Sequence, residues 1–159
     1  MIFASVGTQL GFDRLIRTLD NWRAVRPEVD VVAQIGPGSY VPINMWSTRY
    51  LLSAQYDSMV EAASLLVSHA GVGSLLTACQ WNKPIIMLPR RAELGEHRNN
   101  HQLEGAVRVF RQRGAHVAMD VDELVELLDR RGELAPPKPL VTGVLGLKAK
   151  LTRFLEKSA

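Results

Sequence analysis

The chain has one cysteine in 159 residues, so it forms no disulfide within itself and no four-cysteine zinc site. Cys79 stands among apolar and small residues, which predicts a packed thiol rather than a nucleophile. Long apolar runs are also missing: none approaches the ~18–20 residues of a membrane-crossing helix. The opening MIFASVGTQ has neither the charged region nor the extended apolar core of a signal peptide. A soluble, cytoplasmic protein is expected, with docking on a membrane left open. Aromatic residues make up 6%, and no dense Lys/Arg run or aromatic-interleaved basic patch accompanies the net charge of +3. That mild excess, with a pI near 9.3, suits a phosphate-bearing ligand or an anionic surface and argues against nucleic acid.

What is present is a globular composition, 47% hydrophobic and 22% charged, in a length that suits one domain. Residues 2–6, 29–35, 65–67, 84–88 and 116–119 read as strands, and 49–52 as a further short one. Helical spacing through Phe12, Leu15, Ile16, Leu19 and Trp22 predicts a helix over 12–25. Others are predicted over 55–63, 74–81, 99–113 and 121–130. Strands nearly continuous in apolar residues and separated by helices predict an α/β fold, a Rossmann-like parallel sheet with helices on both faces. Ligands of such sheets bind at the carboxyl ends of the strands, near a switch in strand order. The turns at Gly7 and Gly71 both fall at predicted strand ends. Pro136-Pro137-Lys138-Pro139 reads as a stiff spacer dividing residues 1–135 from 136–159. Beyond it, Val144, Leu147, Leu151, Phe154 and Leu155 form the stripe of a C-terminal amphipathic helix, interspersed with Lys148, Lys150, Arg153 and Lys157. Such a helix packs back on its own domain or docks on a partner subunit or an anionic membrane.

After the strand predicted at 65–67 comes Ser-His-Ala-Gly-Val-Gly-Ser, residues 68–74. A helix start carries unpaired N–H groups and a partial positive charge, so it receives anions. Gly71 and Gly73 have no side chain to keep a diphosphate from those groups. Ser74 can cap the helix or donate to a phosphate oxygen, and His69 can hydrogen-bond a phosphate or the turn. A plain strand-to-helix turn with a capping serine has the same sequence. Position 76 is Leu, so this is not the dinucleotide fingerprint, nor is it a Walker loop.

The second cluster is PRRAELGEHRNNHQLEGA, residues 89–106. Arg90, Arg91 and Arg98 offer planar donors to phosphate or carboxylate, while Asn100, His101 and Gln102 suit sugar hydroxyls. Glu93, Arg108, Arg111 and Arg113 read as a solvated face. His97 and His101 have the spacing of two metal ligands on one helical face. The segment is not H-E-x-x-H, however, and Arg98 sets a positive charge beside any cation, so no metal is assigned.

With VGTQLGFDRLI, SHAGVGSLLTACQWNKPIIMLP and GEHRNNHQLEGA in that order, the chain resembles the C-terminal, nucleotide-sugar-binding half of MurG-like GT-B glycosyltransferases. More closely, it is similar to the small catalytic subunits of two-component systems. These include the enzyme that adds the second N-acetylglucosamine to a dolichol-linked carrier and the PssE-like subunits of bacterial exopolysaccharide assembly. The resemblance implies half of a GT-B fold, with residues 1–135 as a nucleotide-sugar-binding domain and 136–159 as spacer and docking helix. It implies inverting transfer of a sugar from a nucleotide diphosphate donor, a UDP-sugar, to a lipid-linked acceptor in polysaccharide or glycolipid assembly. Gly7 and Thr8 would border the donor, His69, Gly71, Gly73 and Ser74 would hold the diphosphate, and His101 and Gln102 would contact the sugar. Glu96 and His97 would touch donor or acceptor and are the candidate catalytic residues. No cofactor or catalytic metal is implied. Thr77 departs from the family, which often has a ribose-binding glutamate there.

Because the length accommodates only the donor half, the resemblance implies a membrane-anchored partner subunit carrying the acceptor site. The chain would then act in a heteromeric complex, peripheral at the inner face of the membrane through that partner. Two other readings are a non-catalytic, nucleotide-binding regulatory subunit and a metal-dependent hydrolase built on His97 and His101.

Overall fold

A computed structural model describes residues 1–97 and 103–139. The C-terminal amphipathic helix expected after residue 140 lies outside them. Six strands are described: β1 (Ile2–Ser5), β2 (Val31–Gln34), β3 (Trp46–Thr48), β4 (Leu65–His69), β5 (Ile85–Leu88) and β6 (His116–Val117). The helices are α1 (Asp13–Ala24), α2 (Ser53–Ala62), α3 (Val72–Trp81), α4 (Leu103–Gln112) and α5 (Val121–Asp129). All neighbouring strands pair in parallel, in the order β3-β2-β1-β4-β5-β6. The chain starts in the middle, builds outward to β3, then crosses back through α2 to lay β4 on the other side of β1. This reversal between β1 and β4 is the switch point, where the connections leave in opposite directions and open a crevice.

The two faces follow from the period of two along each strand. Ile2, Ala4, Val31, Ala33, Leu65, Val67, Ile86 and Leu88 share one core with Phe12 at the cap of α1, with Leu15, Ile16, Leu19 and Trp22 of α1, and with Leu124 and Leu128 of α5. Phe3, Leu66, Ile85 and Met87 share the other with Val60, Leu75, Ala78, Cys79, Val107 and Phe110 of α2, α3 and α4. The sheet is therefore covered on both sides, as the unbroken apolar strands predicted. Cys79 is a packed thiol, and burial pushes its pKa up.

Two element predictions need correction. The strand expected at 49–52 lies at Trp46–Thr48, in register with Val32 to Gln34. Arg49 instead bends its guanidinium back onto the carbonyls of Gly36 and Gly38, at 3.1 and 3.0 Å. The helix expected to start at Ser74 starts at Val72, because extended Gly71 (φ −111°, ψ 144°) is the cap. Ser74 is thus the third helical residue and does not cap. Of the helix expected over 99–113, the structure describes Leu103–Gln112.

The α5 start is a reciprocal cap: Glu123 N–H donates to Asp120 at 2.9 Å, and Met119 N–H donates to Glu123 at 2.8 Å. The pair Asp120 and Glu123, three residues apart, thus marks the helix start. Asp20 is fully buried in α1 and ties down the β2–β3 loop. It accepts hydrogen bonds from the Tyr40 hydroxyl at 2.6 Å, Asn44 N–H at 2.7 Å and Ile43 N–H at 3.1 Å. Burial pushes its carboxyl up, but these bonds outweigh it and hold the pKa below the usual value. Past α5 the chain stays on the body. Lys138 N–H donates to the Arg113 carbonyl at 2.8 Å, beside buried Pro137. Among the described residues no helix is long and apolar enough to cross a membrane.

Candidate functional site

A cavity of about 440 Å³ opens at the carboxyl ends of β1 and β4, within the size range of small-molecule sites. Val6, Gly7, Thr8, Gln9 and Leu10 form one wall, and His69, Ala70, Gly71 and Val72 another. Arg90 and His97 come from the chain after β5, and Ala106 and Phe110 of α4 complete the lining. The two glycine turns that the sequence set at strand ends thus meet in one place.

His69 is held between them. A Cβ on Gly71 would sit 2.5 Å from its Nε2, and one on Gly7 would sit 3.2 Å from its Cε1. Gly7 also has φ +80°, a conformation unfavourable to any residue with a side chain. Burial, then the nearby Arg90 guanidinium, lowers the His69 pKa to about 4, so the imidazole is neutral at pH 7. On its other side Ser68 hydroxyl donates to the Ser5 carbonyl at 2.8 Å and lies 2.7 Å from Ser74 Oγ.

The start of α3 reaches the cavity through Gly71 and Val72. The N–H groups of Val72, Gly73 and Ser74 have no carbonyl one turn back to bond. Gly73 is different in kind from its neighbours. A Cβ there would meet nothing within 4 Å, so no packing demand explains the glycine. Thr77 turns its hydroxyl onto the Gly73 carbonyl at 3.1 Å.

Of the arginines offered by the sequence as phosphate donors, Arg90 and Arg91 are engaged with the main chain, and Arg98 lies outside the described residues. Arg90, only 9% exposed, donates to the carbonyls of Val6 and Leu10, both at 2.9 Å, and to that of Gly11. It fixes the β1–α1 loop as one wall of the cavity and brings a positive charge to it. Arg91 donates to the Met119 carbonyl at 2.7 Å and faces Glu93 at 3.9 Å. Glu96 is gripped by Arg14, whose guanidinium makes two bonds of 2.8 Å to the carboxylate and a third to the Pro89 carbonyl. Arg91 N–H adds a further bond to Glu96 at 2.9 Å. His97 follows directly and reaches the cavity wall. Asn100, His101 and Gln102 lie outside the described residues. Among those described, no three His, Cys, Asp or Glu side chains converge as metal ligands.

Sequence reasoning missed the Arg14–Glu96 clasp and the lining by Gln9, Leu10 and Phe110. Arg14 and Glu96 are 82 residues apart, so nothing local links them. Leu10 offered a cue only as part of the run VGTQLGFDRLI, beside the Gly7 turn.

A parallel α/β domain with a glycine-walled, cationic cavity at its switch point is the architecture of a nucleotide-binding domain. The pattern of the glycosyltransferase family 28 C-terminal domain matches residues 1–132, and the chain belongs to that family. It is 41% identical over 95 residues to the UDP-N-acetylglucosamine transferase subunit ALG13 of Eremothecium gossypii, covering 57% of this chain and 44% of that one. It is 30% identical over 121 residues to the human protein of the same name, covering 70% of this chain and 10% of that one. The chain therefore spans less than half the length of these relatives. Among solved structures, an NMR structure of ALG13 aligns with a TM-score of 0.58 at 17% identity, over 87% of this chain and 89% of that one. MurG of Acinetobacter baumannii aligns with a TM-score of 0.56 at 16% identity, over 83% of this chain and 42% of that one. The expected half of a GT-B fold is what the chain adopts.

Proposed function

We propose that the chain is the donor-binding catalytic half of an inverting glycosyltransferase, taking its sugar from a nucleoside diphosphate, a UDP-sugar. The observation that carries this reading is the cavity where the Gly7 turn, His69 and the open start of α3 converge. A diphosphate seated there would meet the N–H groups of Val72, Gly73 and Ser74, with the positive charge of Arg90 behind it. Gly73, which the fold itself does not require, leaves that approach clear. The relatives are named as a UDP-N-acetylglucosamine transferase subunit, which favours UDP and N-acetylglucosamine as donor.

In the reaction an acceptor hydroxyl attacks the anomeric carbon as the diphosphate leaves, and the donors at the α3 start stabilise the growing charge. Glu96 has both carboxylate oxygens occupied by Arg14 and Arg91, so its role in this reading is to anchor the loop that carries His97. The base is then supplied by His97 or by a partner. The word subunit in the relatives' name supports a heteromeric enzyme. A membrane-anchored partner would bring the lipid-linked acceptor, hold the chain at the inner face of the membrane, and need no cofactor or metal from this half.

The test is a thermal-shift screen of nucleotides and nucleotide sugars. Selective binding to the folded state raises the melting temperature, so UDP-N-acetylglucosamine and UDP should raise it and sugar-free adenosine nucleotides should not. No shift with any uridine diphosphate would overturn the donor assignment.

A further inference from the structure

We infer that seating a nucleotide-sugar diphosphate in this cavity takes up one proton at His69 Nε2, turning a neutral imidazole into an imidazolium facing the diphosphate. The inference rests on the donor reading above and concerns the state of one ring nitrogen in it. A carbonyl has no proton to give, so the 2.8 Å contact between Ser68 Oγ and the Ser5 carbonyl commits the single Ser68 proton to Ser5. Ser74 Oγ, 2.7 Å from Ser68 Oγ, is therefore the donor of that pair. Ser68 Oγ then meets His69 Nδ1, at 3.4 Å, as an acceptor. The proton of the neutral ring is thus on Nδ1, and Nε2 is bare.

Nε2 is also the atom nearest the empty Cβ position of Gly71, at the cap of α3. A bare nitrogen lone pair repels a phosphate oxygen, so an anion at this helix start requires a proton on Nε2. In the empty site that proton is disfavoured. Burial disfavours it most, and among the described residues the charged or titratable groups that add to this at His69 are Arg90 and His97. Glu96 does not offset them at the ring, because it is clasped by Arg14 and acts on Arg90. A diphosphate brings the negative charge that is missing. The proton comes from solvent, no covalent bond changes, and the same imidazolium opposes the charge that develops as the diphosphate departs.

Calorimetry with the full chain at pH 6, in buffers of different ionisation enthalpy, measures the protons taken up. UDP-N-acetylglucosamine is the ligand, since its diphosphate is esterified at both ends and does not titrate between pH 4 and 8. The expected result is uptake of at least about half a proton per site, with affinity falling up to about tenfold per pH unit as pH rises from 5. His69→Gln, which offers an uncharged N–H near the Nε2 position, should bind without uptake and without pH dependence, while His97→Asn should retain both. Binding with no proton uptake would overturn this inference and leave the donor reading intact. So would uptake that survives His69→Gln and vanishes in His97→Asn. Failure of the wild-type chain to bind any UDP-sugar would sink both. Nitrogen-15 spectra of the histidine rings decide the matter without a variant: Nδ1–H alone in the free protein and both nitrogens protonated in the complex is the expected pattern, and a bare Nε2 in the complex contradicts it.

Discussion

Gly71 and Gly73 are glycines for different reasons. Gly71 has to be small because the His69 ring lies against it, whereas Gly73 has open space around it and helical geometry. An exposed helical glycine costs roughly 0.5–1 kcal/mol relative to alanine, so the fold alone would favour alanine at 73. Gly73→Ala should therefore raise stability by about that amount in urea denaturation. The same variant should weaken UDP binding by at least about tenfold, or ~1.4 kcal/mol, by setting a methyl over the α3 start. Equal affinity in the two proteins would remove the reason given for this glycine.

His69 makes the second residue-scale prediction, on acid stability. Its pKa is about 4 in the folded chain against 6.5 for a free histidine, so the unfolded chain binds the proton first. Folding stability is fully retained above pH 6.5 and declines as pH falls toward 4, by at most about 3 kcal/mol for this group. Chemical denaturation from pH 7 to 4 should show that decline in the wild type and a smaller one in His69→Gln.

At the scale of elements, two guanidiniums lock the walls of the cavity together. Arg90 ties the chain after β5 to the β1–α1 loop, and Arg14 of α1 ties Glu96 and Pro89 back to that helix. Glu96 and Arg14 have side chains only 11% and 18% exposed, so removing one partner strands a shielded charge. Arg14→Met should cost roughly 2–3 kcal/mol in stability and slow sugar transfer more than it weakens UDP binding, because it frees the segment bearing His97. Thermal denaturation, a UDP titration and a sugar-transfer assay separate these effects.

The elements themselves were legible from apolar runs and helical spacing, because β1, β2, β4 and β5 are buried on both faces and α1 keeps one apolar stripe. Their ends were less so. The strand near 49 and the start of α3 are set by Arg49 reaching back to the Gly36 turn and by the extended backbone of Gly71, neither of which has a periodic signature. Of the site, the glycine turns and His69 were visible as residues placed at strand ends. Arg90 was visible as a charge, but its engagement with three carbonyls of a loop about 80 residues earlier in the chain was not.

At the scale of the whole molecule, the strand order decides where the chemistry sits. A chain that begins in the middle of its sheet and reverses at β4 leaves one crevice between β1 and β4, and the sequence puts its two glycine turns there. The alignment with MurG covers 42% of that structure, which fits a chain that is one half of a two-half architecture. A titration of nitrogen-15-labelled protein with UDP-N-acetylglucosamine, followed by amide chemical shifts, tests most directly where the donor sits. Saturable shifts concentrated at Gly7, Thr8, Ala70, Gly71, Val72, Gly73 and Ser74 are expected. Saturable shifts centred elsewhere on the sheet, or no shifts at millimolar donor, would contradict this placement.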